Sequence, residues 1–115
     1  MPYLKLRTNV KIGSDQSPTV MKQLSNLVAQ KTGKPESYVM IDLDSDRTML
    51  FGGNSEPLAY LECKSLGLSS AQVKELSPAI CHYLNTELAI SAGRIYIEFS
   101  DHPRDFWGWN GGTFG

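Results

Sequence analysis

Alternation opens the chain. Leu4 and Leu6 are set between Tyr3, Lys5 and Arg7, the period-two pattern of a strand with one face on a core. Pro2 suits the first position of such a strand, where its missing N–H removes no interior ladder bond. Gly13-Ser14-Asp15-Gln16 reads as a loop, and Ser17-Pro18 as an N-cap followed by proline at the first helical position. Val20, Met21, Leu24, Leu27 and Val28 then recur at helical spacing. Gly33 closes that helix and Pro35 bars its resumption. A second strand follows, with Val39, Ile41 and Leu43 on one face and Tyr38, Met40 and Asp42 on the other. The result is a βαβ unit with parallel strands. Beyond it, the short apolar run Met49-Leu50-Phe51 reads as a small edge strand.

The first half then repeats at an offset of about 57 residues. Leu58 to Ser65 alternates again, with Ala59, Leu61 and Cys63 opposite Tyr60, Glu62 and Lys64. Ser69 and Gln72 have capping-box spacing, and Val73, Leu76, Ile80, Leu84 and Leu88 form the next helical stripe. Gly93 ends the connection, and Arg94 to Phe99 is a fourth strand. The expected fold is α+β: two βαβ repeats, residues 1–115 as one domain, making a four-stranded mixed sheet with both helices on one face. Tyr3, Tyr38, Tyr60 and Tyr96 fall on the opposite face, which the helices cannot cover. Four aromatics are a large patch to leave in water, so other subunits are expected to cover it.

Composition narrows the classes. Hydrophobic residues make up 41%, enough for a core, and no apolar run nears the roughly 20 residues of a membrane span. Residues 3–12 carry three basic side chains but no apolar block follows, so no signal peptide is read. A cytoplasmic protein is expected, with leaderless secretion left open. The formal charge is −1 and the basic residues are scattered, which gives nucleic acid no electrostatic footprint. Cys63 and Cys81 are too few and too far apart for a redox pair or metal cage.

Strand direction gathers the candidate chemistry. Parallel first strands bring Gly33-Lys34-Pro35 to the end of the sheet that holds Pro2. If a pseudo-twofold axis relates the two halves, the third strand runs antiparallel to the first and brings Lys64-Ser65-Leu66-Gly67 there too. A small second residue lets the initiator methionine be trimmed, leaving a secondary amine fixed by the strand behind it. Most Met-Pro termini are inert; this one has a lysine for a neighbour. Like-charge repulsion and apolar surroundings both lower an amine pKa from about 8 toward the range useful to a general base.

These residues carry a resemblance. Pro2, Thr32-Gly33-Lys34-Pro35 with Tyr38, Phe51-Gly52-Gly53-Asn54-Ser55-Glu56-Pro57, Ser65-Leu66-Gly67, Ile95-Tyr96-Ile97, Gly108-Trp109-Asn110 and Thr113-Phe114 resemble the macrophage migration inhibitory factor family along the whole chain. The resemblance implies the tautomerase fold, a homotrimer, and active sites at subunit interfaces. It also implies cofactor-independent keto–enol tautomerisation of a small aromatic keto or enol acid, phenylpyruvate-like or dopachrome-like. By position, Pro2 would be the catalytic base and Lys34 would hold the substrate carboxylate or enol oxygen. Leu66 would offer its backbone N–H. Tyr96 from a neighbouring subunit would line the ring pocket with Tyr38, Trp109 and Phe114. The alternative is a cytokine-like ligand for a receptor of an animal host, with vestigial catalysis.

Three departures limit the transfer. Glu98 stands where the animal proteins usually carry a substrate-binding asparagine, and an ionised carboxylate would repel an acidic substrate. Trp107 replaces a smaller aliphatic residue near the pocket mouth. Leu58 and Leu61 occupy the places of the animal CxxC, which removes that route to thiol–disulfide exchange. Elsewhere, Asp42, Asp44 and Asp46 mimic a calcium loop but lack its glycine and final glutamate. His82 is read on a helix surface and His102 in a polar loop, neither with ligand spacing.

Overall fold

The computed structural model describes residues 1–115. Its elements are β1 (Tyr3–Thr8), α1 (Ser17–Thr32), β2 (Met40–Asp44), β3 (Ala59–Leu66), α2 (Ser70–Leu88) and β4 (Ile95–His102). A two-stranded hairpin, β5 (Gly108–Trp109) and β6 (Gly112–Thr113), ends the chain. The main sheet has the order β2-β1-β3-β4. Each outer strand is parallel to its inner neighbour, and the inner pair is antiparallel. This is the mixed sheet expected of two adjoining βαβ units.

One face of that sheet is the core. Leu4 and Leu6 of β1 and Leu61 and Cys63 of β3 are fully buried, and Val20, Leu24 and Val28 of α1 pack over them. Leu76, Ile80 and Leu84 of α2 complete the layer. Ser69 accepts from the Gln72 backbone N–H while the Gln72 side chain accepts from the Ser69 N–H, a closed capping box. Pro78 lies inside α2 on its exposed side, so the helix loses one backbone bond there without losing its apolar stripe.

Four expectations need correction. Gln16, not Ser17, stands at the N-cap of α1, because the Gly13 carbonyl accepts from both Gln16 and Ser17 and starts the turn one residue early. Met49-Leu50-Phe51 is no strand: no neighbour within the chain pairs with it, and Phe51 and Asn54 only bridge across Gly52-Gly53. Both of those glycines have positive φ, 60° and 80°. Tyr38 does not lie on β2. Pro35 starts a 3-10 turn over Glu36–Tyr38 that swings this ring off the sheet. His102 ends β4 rather than sitting in a loop, its Nε2 buried without a partner and its ring edge-on to Trp107.

The open face therefore carries three tyrosines, and two are tethered. Tyr3 donates to Asp42 at 2.8 Å and Tyr60 donates to Glu98 at 2.7 Å. Each phenol is pushed up to about 12, Tyr3 mainly by burial and Tyr60 mainly by its bond to the carboxylate.

Candidate active site

Three segments converge beside Pro2: the turn after α1, the end of β3 and the C-terminal segment. The Pro2 side chain is fully buried, and its carbonyl accepts from the Met40 N–H at 2.9 Å, which zips the start of β1 to β2. Gly33 caps α1 in the left-handed conformation (φ 69°), turning the chain so that Lys34 follows directly. Thr32 donates its hydroxyl to the Val28 carbonyl at 2.6 Å and receives the Lys34 N–H at 3.4 Å. At the end of β3, Gly67 (φ 63°) reverses the chain, and the Leu68 N–H reaches the Asp101 carboxylate at 3.0 Å.

The C-terminal segment supplies the aromatic wall. Pro103 opens a 3-10 turn, Arg104–Phe106, and the β5–β6 hairpin reverses over Asn110-Gly111 with φ of 51° and 80°. That two-residue loop is the one an Asn-Gly pair favours. The hairpin is pinned by the Phe114 N–H to the Trp107 carbonyl at 3.2 Å and by Arg104 Nε to the Phe114 carbonyl at 3.1 Å. Tyr38 meets Trp109 edge-on at 5.5 Å and Phe114 at 6.2 Å, while Trp109 and Phe114 stack at 5.8 Å. These three rings favour an aryl guest by apolar burial and edge-to-face contact.

Two cavities flank the chain start. An aromatic groove of about 250 Å³ is lined by Met1, Pro2, Tyr38, Trp107, Trp109 and Phe114 among others. A cavity of about 290 Å³ is lined by Met1, Lys34, Leu66, Gly67, Arg104 and Phe114. Met1 and Phe114 stand between them. The chain's amino group is lowered from its ordinary value, first by burial and then by the charge of Lys34.

Pro2, Lys34, Leu66, Tyr38, Trp109 and Phe114 are thus brought together, with Trp107 beside them. Tyr96 and Glu98 are not. Tyr3 is level with Lys64 and Ser100, so Tyr96 lies four residues down β4, roughly 13 Å, and two strands across, roughly 10 Å. Its ring packs on Phe51 at 4.7 Å, in an apolar hollow with Met49, Leu50 and Leu58. Glu98 faces Glu62 and holds Tyr60. Sequence reasoning missed Arg104 as part of the site. Its signal was topological, since β4 runs parallel to β3 and the residues just past its end must lie near Leu66-Gly67.

Comparison with known proteins gives one answer throughout. The family model for macrophage migration inhibitory factor (MIF) matches residues 1–115. A macrophage migration inhibitory factor of Xenopus tropicalis is 38% identical over 116 residues, covering 99% of each chain. The Brugia malayi homologue is 39% identical and fully covered on both sides. Among solved structures, the homologue from Prochlorococcus marinus superposes with a TM-score of 0.92 at 40% identity, covering 98% of this chain and 99% of its own. The Trichinella spiralis protein gives 0.84 at 32% identity, covering 97% and 99%.

Proposed function

This chain belongs to the macrophage migration inhibitory factor family, and from that membership we propose that it is a cofactor-independent keto–enol tautomerase acting on phenylpyruvate-like aryl 2-oxo acids. The family and its tautomerase fold point to isomerase chemistry in general; substrate class and catalyst are our reading. The observation that carries it is the position of Met1 between an aromatic groove and a cationic cavity. Trimming Met1 joins the two and leaves the Pro2 amine at their junction. The aryl ring then enters the groove of Tyr38, Trp109 and Phe114, and the anionic end enters the cavity of Lys34.

In the enolisation direction, the neutral Pro2 nitrogen takes a proton from the carbon beside the ketone. The C–H electrons become the C=C bond, and charge develops on the carbonyl oxygen. The oxygen gains the proton from the Pro2 ammonium, directly or relayed through a water, and the amine is restored. Lys34 stabilises the growing negative charge, which is worth most where water is excluded. Tyr96 and Glu98 enter this scheme only from a neighbouring protomer of a homotrimer. The cytokine-like alternative is suggested by the names of relatives, and the discriminating observation is whether a Pro2→Gly variant loses turnover while keeping any receptor binding.

The test pairs intact mass with an enol–keto assay on phenylpyruvate. We expect a mature mass lacking methionine, turnover reduced roughly 100-fold or more in Pro2→Gly, and loss of activity on N-terminal extension. Full turnover with Met1 in place, or with Pro2 replaced, overturns the proposal.

A further inference from the structure

Arg104 takes no part in the proton transfer, yet it lines the same cavity as Lys34, and nothing acidic lines that cavity with them. The one hydrogen bond its side chain makes within the chain is Nε to the Phe114 carbonyl. Neither Nη makes one, and no carboxylate lies within ion-pair distance of Arg104 or of Lys34. Two unpaired cations thus share one small cavity of which Phe114, a wall of the aromatic groove, is also part.

We propose that Arg104 is the carboxylate anchor of the site and that Lys34 is thereby released to the developing enolate oxygen. The inference rests on the tautomerase reading above and assigns the two oxygens that reading leaves together on Lys34. A 2-oxo acid brings one charge into the site as its carboxylate, and enolisation develops a second on the neighbouring oxygen. One cation cannot hold both well. The planar fork of a guanidinium matches a carboxylate, and a compact ammonium suits a single oxygen. The Nε bond to Phe114 ties the guanidinium to the segment that carries the ring wall, so the carboxylate and the aryl group are held by the same segment. The substrate class that follows is an aryl 2-oxo acid with a free carboxylate, preferred over its ester.

The roles separate kinetically. Anchoring acts equally on ground and transition states and appears in KM, whereas stabilising the enolate appears in kcat. The experiment compares phenylpyruvate with its methyl ester in wild type, Arg104→Ala, Arg104→Lys and Lys34→Ala. Expected is a rise of about tenfold in KM for the acid in Arg104→Ala, with the acid-to-ester ratio of kcat/KM falling by a similar factor and partial recovery in Arg104→Lys. Lys34→Ala should lower kcat for both substrates. Equal losses for acid and ester in Arg104→Ala would mean that it only braces Phe114, and would overturn the assignment; so would no loss at all. A wild type inactive on both substrates sinks the tautomerase reading by itself. Calorimetry with phenylacetate, which needs no turnover, then decides the anchor: binding weakened about tenfold in Arg104→Ala supports it, and unchanged binding refutes it.

Discussion

A proline nitrogen becomes useful as a base only when its proton is lost near neutral pH, and two influences act on an amine at this end of β1. On the Met1 amine that stands there, burial is the larger influence and the charge of Lys34 the second. Both favour the neutral form, and a Pro2 amine freed beside Lys34 at the same place is expected to feel the same two influences and titrate below the ordinary α-amine value of about 8. Activity carried by the free base should therefore rise with pH through a midpoint below 8 and level off above it. Lys34→Ala removes one influence and keeps the larger, so its midpoint should move up only part of the way. A pH profile of kcat/KM for the methyl ester reads this without interference from carboxylate binding. A midpoint that stays put would mean that Lys34 does not act on the catalytic amine. Stability follows the same sign. Since the folded amine binds its proton less readily than the unfolded one, stability should increase with pH between the lowered value and about 8.

At the scale of elements, the loop over residues 51–57 has no ladder of its own and is held from outside. Arg94, just before β4, donates to the carbonyls of Phe51, Asn54, Glu56 and Pro57 at 3.1–3.2 Å and lays its guanidinium 5.2 Å from the Phe51 ring. Arg94→Ala would leave these carbonyls to water and free Phe51 from Tyr96. A loss of roughly 2–3 kcal/mol is expected, or roughly 8–12 °C in Tm; Arg94→Lys should recover less than half, because an ammonium cannot span four acceptors. Thermal unfolding followed by circular dichroism checks both. This loop also marks where sequence reading stops. Leu4, Leu61, Leu76 and Ile80 were legible because burial imposes a period on strands and helices. Met49-Leu50-Phe51 has strand composition but no strand, since what holds Phe51 is a single arginine 43 residues away. The same holds at the site. Pro2, Lys34 and Leu66 were legible from strand direction, whereas Tyr38 was put on the wrong element because a 3-10 turn has too few residues to show a period.

At the scale of the whole molecule, the roles proposed for Tyr96 and Glu98 depend on assembly. Within one chain they stand at the far end of the sheet from Pro2, and their face is not covered by either helix. Met40, Leu50 and Tyr96 are each more than 60% exposed. Single exposed apolar residues are ordinary, but these border a sheet face that already holds tethered tyrosines, which favours cover by further copies. If a trimer forms each site from Pro2 of one protomer and Tyr96 of the next, two damaged proteins can repair each other. Pro2→Gly and Tyr96→Ala proteins, unfolded together in equal amounts and refolded, would mix at random. A given interface then has an intact Pro2 with probability one half and an intact Tyr96 on its neighbour with probability one half. About one quarter of sites should be restored, well above the mean of the two parents refolded separately. Glu98→Asn probes the same interface from its charged side: removing the carboxylate should raise turnover of phenylpyruvate more than that of its neutral ester. Should the mixture give only the parental mean, Tyr96 serves its own chain alone and the shared site does not exist. A monomer by sedimentation would exclude the shared site equally, because no bending of one sheet brings β4 residue 96 to the start of β1.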